Sequence, residues 1–432
     1  MNADEFSKDY LISVIKQQKQ GISKGIYSVC SANYLVLLAS MKVARESGRP
    51  LLVEATCNQV NQFGGYTGMT PVQFREYVYR LAEEAGISKK QIILGGDHLG
   101  PYVWRNETSL SAMAKAKQLI KDYVEAGFTK IHLDASMSCA DDTYGKNLDK
   151  EVAADRIAAL CQIAEEAKRT IGSQVYYVVG TEVPTPGGEV ESQDKLSITM
   201  VEDARETISE IQHAFVRYHL EDAWERVIAL VVQPGVGFSD SSIFLYDREK
   251  TRELSKFIES YKHLVYEAHS TDYQPRQKLK ELVEDHFAIL KVGPALTFAM
   301  REALFALSFI EDELIQRPDE RSKLRERLEQ EMLADPKHWE KYYQGSLFEQ
   351  KLARKYSFSD RSRYYWSKPT LQAAISTLFK NLKKEPAPLT LVDQFLPNQA
   401  KKIKLGILSN DPILLVEDKI REVLEDYIYA CE

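Results

Sequence analysis

Short runs of apolar, mostly β-branched residues recur along the first three-quarters of the chain. Each run is followed by a longer segment in which apolar residues return every three or four positions. The runs are too short for helices and too continuous for strands with one solvent-facing side, so they predict strands of a buried parallel sheet. The predicted strands are residues 26–30, 51–54, 92–95, 130–134, 175–182, 227–233, 264–269 and 288–292.

The segments between these strands have helical spacing. Between the third and fourth strands, Met113, Ala116, Ile120 and Tyr123 fall on one helical face, and Gly127 follows where a left-handed C-terminal cap belongs. Repeated alternation of strand and helix predicts an α/β fold of the (β/α)8 TIM-barrel type. An open, doubly wound sheet is the structural alternative.

From about residue 316 the pattern changes to charged helical sequence, an aromatic cluster, a proline-containing stretch and a last amphipathic helix. In that helix Ile413, Ile420 and Leu424 lie on one side. We therefore expect residues 1–315 to form the barrel and residues 316–432 to form a helical C-terminal extension packed on it.

Composition limits the class of protein. The 432 residues are 44% hydrophobic, with 56 basic and 63 acidic residues and a net charge of −7, which argues against nucleic acid as a main partner. The 5 cysteines show no CxxC spacing, as is typical of proteins from a reducing compartment. No apolar signal segment or run of about 18 apolar residues is present. We expect a cytoplasmic protein with no membrane partner.

Polar residues stand at the carboxyl ends of successive predicted strands, where TIM barrels place their active sites. These residues are Glu54, Asp97, His98, His132, Asp134, Glu182, Gln233, Glu267 and His269. Each taken singly has a structural alternative as a hydrogen-bonded residue of the barrel mouth. There is no GxxxxGK[ST] or strand-following GxGxxG motif, which argues against a nucleotide-dependent enzyme.

Two imidazoles and a carboxylate, from His98, His269 and Glu182, are the natural ligands of a divalent metal with an open position for substrate. Asp97, beside His98, is the first candidate for the general acid or base, and capping of the following loop is its structural alternative. The other strand-end residues, Glu54, His132, Gln233 and Glu267, are expected to bind substrate.

Long motifs occur in a fixed order over nearly the whole chain. They include Gly95-Gly96-Asp97-His98-Leu99-Gly100-Pro101 and Tyr266-Glu267-Ala268-His269-Ser270-Thr271-Asp272-Tyr273. Others are residues 27–32, 54–69, 130–138, 180–184, 232–236, 291–296 and 360–366. Together these motifs resemble those of the GatZ/KbaZ family, the Z-type subunits of tagatose-1,6-bisphosphate aldolase.

The resemblance implies an accessory subunit in galactitol and N-acetylgalactosamine catabolism. Its partner would be a Y-type subunit, a class II zinc-dependent aldolase on the same fold that needs the Z subunit for full activity and stability. Asp97-His98 resembles the Asp-His pair of such aldolases, in which Asp is the acid or base and His a zinc ligand. A divalent metal, zinc above all, and a sugar or sugar-phosphate ligand are thus implied.

The chain departs from class II aldolases in two places. Gln233 stands where those enzymes have a further histidine ligand near the sixth strand. In the phosphate-binding region after the eighth strand, Pro294 lacks a backbone N–H donor. We therefore expect no independent aldolase activity.

Two functions remain open. The first is the accessory subunit. The second is a metal-dependent C4 epimerase of an unphosphorylated ketohexose or keto-hexuronate, of the tagatose/fructose type, in which Asp97 and an opposed Asp134 or Glu182 move protons. A third, tagatose 6-phosphate kinase, is disfavoured because the nucleotide motifs are missing.

Overall fold

The computed structural model describes residues 10–142, 148–181 and 196–432. Parallel strands close into a barrel, which confirms the predicted TIM barrel. The barrel strands are β1 Ile26–Val29, β2 Leu51–Thr56, β3 Ile92–Leu99, β4 Lys130–Leu133, β5 Tyr176–Val179, β6 Val227–Val231, β9 Val265–Ala268 and β10 Phe287–Val292. Their order around the barrel is β1-β10-β9-β6-β5-β4-β3-β2, and pairing of β1 with β10, with Ile26 opposite Ile289, closes the cylinder. A small antiparallel pair, β7 Gly237–Phe238 and β8 Ile243–Phe244, lies between β6 and β9.

Helices surround the barrel and form the C-terminal extension. Those up to the last barrel strand are α1 Tyr10–Lys19, α2 Tyr34–Ser47, α3 Pro71–Ala85, α4 Ser109–Glu125, α5 Lys150–Ile171, α6 Val201–Arg217, α7 Glu221–Trp224, α8 Arg248–Glu259 and α9 Arg276–Glu284. After it come α10 Pro294–Leu314, α11 Leu324–Ala334, α12 Leu347–Tyr356, α13 Pro369–Lys384, α14 Leu389–Phe395, α15 Pro397–Lys404 and α16 Pro412–Cys431. Short 3-10 helices occupy Gly65–Thr67, Lys89–Gln91, Pro101–Trp104, Pro336–His338 and Arg361–Tyr364.

The predicted helix boundaries follow from local chemistry. Thr108 is the N-cap of helix α4, and its hydroxyl accepts a hydrogen bond from the backbone N–H of Ser111. Gly127 follows its end with a φ of 89°, the left-handed conformation that glycine adopts without steric cost. Of the residues that the spacing predicts on the apolar face, Ala116, Ile120 and Tyr123 are buried and Met113 is half-buried.

The lower half of the barrel is apolar and closed by α1. Leu11, Val14 and Ile15 of that helix pack against side chains from inside the barrel, among them Ile26 and Ile93. This burial leaves the carboxyl ends of the strands as the polar end of the barrel. Among the helices of the described ranges, none is long and apolar enough to cross a membrane.

The extension packs closely on the barrel. Its last helix, α16, lies against α2, α9 and α10. The hydroxyl of Tyr427 donates to the carbonyl of Thr271, which follows β9, at 2.9 Å. Arg301 of α10 and Asp360 of the extension form a buried ion pair at 2.8 Å. The division at residues 315 and 316 stays a prediction.

Candidate active site

Strand β3 continues four residues beyond its predicted end and delivers Asp97 and His98 to the barrel mouth. The pairing of β3 with β4 shifts register between Gly96 and Leu99. Within that irregularity His98 has a φ of 49°, a strained conformation for a residue with a side chain. The bulge turns both side chains into the mouth, where they are buried.

Three histidines meet at this point. Nε2 of His98 lies 3.1 Å from Nδ1 of His269, and the ring of His132 lies 5.0 Å from that of His98 and 5.3 Å from that of His269. Nε2 of His132 is buried and has no hydrogen-bond partner among residues 10–142, 148–181 and 196–432. Ligand atoms from these histidines and Asp97 all lie within 4.8 Å of one another.

Carboxylates fix the orientation of two of these rings. Nδ1 of His98 lies 2.8 Å from Oδ2 of Asp134, and Nε2 of His269 lies 2.9 Å from Oε1 of Glu267. When the two nitrogens that face the carboxylates carry protons, Nε2 of His98 and Nδ1 of His269 present lone pairs to each other. This carboxylate–histidine arrangement is the one that orients metal-binding imidazoles in proteins.

A network of buried charges lies beneath the histidines. Nζ of Lys130 is 2.7 Å from Glu54 and 2.6 Å from Glu267. Nζ of Lys291 also contacts Glu54 and lies 3.0 Å from Oδ1 of Asp97. The opposite charges compensate one another, which allows so many ionised groups to be buried.

This network determines the charge of Asp97. Burial raises the pKa of Asp97, but Lys291, His98 and His132 outweigh burial and hold it well below its usual range. Oδ1 of Asp97 lies 3.0 Å from Nδ1 of His132. Asp97 is thus ionised and held in place between a lysine and a histidine.

The two facing histidines differ in their affinity for protons. Burial lowers the pKa of His98, but Asp97 and Asp134 raise it above its ordinary value. Burial lowers the pKa of His269 to about 4, although its hydrogen bond to Glu267 opposes this. One cation therefore suits the gap between the two nitrogens, either a proton shared by the pair or a metal ion in its place.

Comparison with known proteins is consistent with this architecture. The family model for D-tagatose-1,6-bisphosphate aldolase subunit GatZ/KbaZ-like proteins matches residues 11–432. The chain is 50% identical over 420 residues to the D-tagatose-1,6-bisphosphate aldolase subunit GatZ of Escherichia coli O1:K1 / APEC, covering 97% of this chain and 99% of the relative. The chain belongs to the GatZ/KbaZ-like family.

A solved structure is also similar to this GatZ/KbaZ-like chain. It is the crystal structure of a probable tagatose 6 phosphate kinase from Sinorhizobium meliloti 1021, with a TM-score of 0.86 and 42% identity, covering 94% of this chain and 100% of that one. The agreement in fold thus includes the C-terminal extension as well as the barrel.

The GatZ/KbaZ-like chain brings most of its predicted site residues together. Glu54, Asp97, His98, His132, Asp134, Glu267 and His269 form one buried cluster. Glu182 lies outside the described residues. The amide oxygen of Gln233 accepts hydrogen bonds from the backbone N–H groups of Gly235 and Val236, at 2.8 and 3.1 Å, and so stabilises its own loop.

Two residues of the site were missed by the sequence analysis. Lys130 and Lys291 stand within apolar runs that the sequence assigns to barrel strands, and both prove to be buried. A lysine inside a predicted buried strand requires a charged partner, so the position of these lysines in the sequence indicates a buried ion pair. Their position does not identify the partner residue.

The backbone N–H groups at the start of α10 bind a carboxylate of the same chain. Oδ1 of Asp272 accepts from the backbone N–H groups of Gly293, at 3.0 Å, and of Ala295, at 2.8 Å. Pro294, between them, has no N–H to offer. The N–H groups that a helix start would present to a phosphate are thus already bound to a carboxylate.

Proposed function

We propose that this chain is the Z-type subunit of a D-tagatose-1,6-bisphosphate aldolase and that it supports the activity and stability of a separate Y-type catalytic subunit. The observation that carries this proposal is its 50% identity to a GatZ subunit along 97% of the chain and 99% of that relative. Identity over the full length includes the extension, so the surfaces by which such a subunit acts have a counterpart here.

The start of α10 supports an accessory role over independent bisphosphate cleavage. An aldolase of this type has to bind a phosphate group near the barrel mouth, and helix N-termini are common phosphate sites. Here Asp272 uses the N–H groups of Gly293 and Ala295, and its own negative charge would repel a phosphate. The start of α10 is therefore not available as a phosphate site in this chain.

The donor set fits a divalent metal, and we propose zinc. His98 and His269 would hold it through their facing nitrogens. The carboxylate of Asp97 and Nε2 of His132, which has no hydrogen-bond partner in the described part of the chain, belong to the same cluster. Imidazole nitrogens and a carboxylate oxygen are ligands that zinc prefers. Glu182 remains a predicted ligand. A bound divalent metal would polarise a ketose carbonyl and its neighbouring hydroxyl.

The buried cluster of three histidines and Asp97 favours a second function, C4 epimerisation of an unphosphorylated ketohexose or keto-hexuronate. Asp97 is ionised and can accept a proton from the sugar, while Lys291 and His132 keep its carboxylate in position. Both oxygens of Asp134 are bound, one to His98 and the other to Ser136. We therefore propose that Asp134 mainly orients His98, although its predicted catalytic role is retained as an alternative.

The subunit proposal is tested by expressing a Y-type aldolase with and without this chain. We expect the two chains to co-purify and the cleavage of tagatose 1,6-bisphosphate per Y subunit to rise when this chain is present. A Y-type aldolase with equal activity and thermal stability in both preparations, and no complex, would contradict the proposal.

The epimerase proposal is tested with this chain alone. The purified protein is analysed for metal and incubated with D-fructose or D-tagatose, and the sugars are separated. We expect interconversion that Asp97→Asn abolishes and that Asp240→Asn, an exposed control, leaves unchanged. No interconversion by a metal-loaded chain would reject this function and leave the subunit proposal intact.

A further inference from the structure

A cavity of about 280 Å3 lies between the barrel mouth and the C-terminal extension. Its barrel side is formed by the segments that follow β1, β2 and β10, and its other side by the extension. Residues that illustrate the two walls are Cys30, Gln59 and Gly293 on the barrel side and Arg363, Trp366 and Gln372 on the extension side. The cavity thus exists only because the extension covers this part of the mouth.

The cavity adjoins the histidine cluster. Gly293 in its wall follows Lys291 by two residues, and Lys291 contacts Asp97. Burial raises the pKa of the Cys30 thiol in the same wall, and the charges of Lys291 and Asp97 also act on that thiol. A ligand in the cavity would therefore lie beside the candidate active site.

The charge of the cavity is unbalanced. Within the part of the chain that the structure describes, Arg363 is the one charged residue in its lining. Nη1 of Arg363 donates to the carbonyls of Ser359 and Asp360, and Nη2 donates to the hydroxyl of Tyr364 at 2.9 Å. These partners are formally neutral, so they hold the guanidinium in place without cancelling its charge.

The nearest carboxylates have other partners. Asp360 pairs with Arg301 at 2.8 Å, and Asp272 binds backbone N–H groups at the start of α10. Among the described residues, none places a carboxylate within 4.0 Å of Arg363 to form an ion pair. A half-buried guanidinium with no ion-pair partner in the described ranges favours an anionic ligand, and its planar fork suits a carboxylate or a phosphate.

We propose that this cavity binds the terminal anionic group of a sugar and that Arg363, from the extension, is the residue that selects for that group. The proposal deepens the proposed function, on which it rests for the assumption that the ligand is a sugar bound beside the histidine cluster. The shared chemistry is a single terminal oxyanion, carried by either a hexuronate carboxylate or a sugar phosphate. Neutral polar side chains in the lining, including Asn33 and Thr297, would bind the sugar hydroxyls.

The test is calorimetric titration of the full-length chain with D-fructose, D-fructose 6-phosphate and D-fructuronate. We expect the anionic sugars to bind at least roughly ten-fold more tightly than D-fructose, as hydrogen bonds to a charged group predict. The tighter of the two anionic probes identifies the oxyanion. Arg363→Gln should remove this preference, so that the anionic sugars bind no more tightly than D-fructose does.

Two further variants distinguish the planar geometry of the guanidinium from its charge, and a specific effect at Arg363 from the effect of removing any arginine. Arg363→Lys keeps the charge but not the planar fork, and should retain part of the preference. Arg317→Gln removes an exposed arginine from the extension and should bind all three sugars as the unmodified chain does. Thermal melting establishes which variants are folded.

Equal affinity of the unmodified chain for neutral and anionic sugars would overturn the proposal, whether or not Arg363→Gln folds. So would a folded Arg363→Gln chain that keeps the preference. Failure of the proposed function has a different signature, because absence of both partner activation and epimerisation leaves these binding affinities unchanged.

Discussion

The buried lysine of β4 provides the sharpest test of how the site is held together. Nζ of Lys130 lies 2.7 Å from Glu54 and 2.6 Å from Glu267, and all three side chains are fully buried. Lys130→Met preserves most of the side-chain length but leaves two buried carboxylates to share Lys291. Loss of one partner of a buried ion pair costs about 3–5 kcal/mol, so we expect the free energy of unfolding at pH 7 to fall by that amount.

The cost of Lys130→Met should depend on pH. Burial raises the pKa of Glu267, but Lys130 and Lys291 hold it well below its ordinary value of 4.5. A carboxylate with a depressed pKa in the folded state stabilises the fold above its unfolded pKa, and this stabilisation is lost as the pH falls. Lys130→Met lacks much of this stabilisation at pH 7. Its loss of unfolding free energy relative to the unmodified chain should therefore become smaller below about pH 4.5.

Urea denaturation followed by tryptophan fluorescence at pH 7 and pH 4 measures both effects. Lys250→Met, which removes an exposed lysine paired with Asp247, is the control and should change stability by less than about 0.5 kcal/mol. Adding Glu267→Gln to Lys130→Met should restore part of the loss because it removes a stranded charge. A deficit below about 1 kcal/mol, or one equal at both pH values, would refute the argument that these ion pairs stabilise the barrel.

Three other substitutions test separate features. Burial raises the pKa of Asp272 from 3.8 to about 6, so ionisation of this carboxyl destabilises the fold as the pH rises through 6. Asp272→Asn should therefore be more stable than the unmodified chain at pH 8, by up to about 3 kcal/mol, and equally stable at pH 3. A lower melting temperature of the variant at pH 8 would contradict this. Asp134→Asn should weaken metal binding by about 10–100-fold in chelator competition because it loosens His98, and unchanged affinity would show that the carboxylate is dispensable. A methyl group at Gly100 would collide with the carbonyl oxygen of Asp134, so Gly100→Ala should lower both the melting temperature and the metal content. A melting temperature equal to that of the unmodified chain would refute the collision.

The barrel could be predicted because its strands are buried on both faces. Runs such as residues 227–232 are continuously apolar, and the pattern places the centres of the strands correctly. The continuation of β3 as far as Leu99 could not be predicted, because it depends on a register shift after Gly96 and a positive φ at His98. Such irregularities are set by tertiary packing rather than by local propensity.

The site was predictable to the extent that strand ends meet at one rim. That rule brings Asp97, His98 and His269 together without knowledge of the loops. It does not show how a loop folds back, which is why the local hydrogen bonds of Gln233 and the capping of α10 by Asp272 were not foreseen. Those contacts depend on backbone conformations that residue spacing does not specify.

The extension has a structural role and a proposed binding role that depend on the same packing. Helix α16 buries Ile420, Leu424 and Tyr427 while lying against α2, α9 and α10, so it covers helices that would otherwise expose apolar surface. The same extension carries Arg363 to the cavity beside the barrel mouth. Because Arg363 donates to the backbone carbonyl of Asp360, loss of the neighbouring Arg301–Asp360 ion pair should also displace the guanidinium from the cavity. Selection of an anionic sugar and stability of the barrel are therefore coupled through one interface.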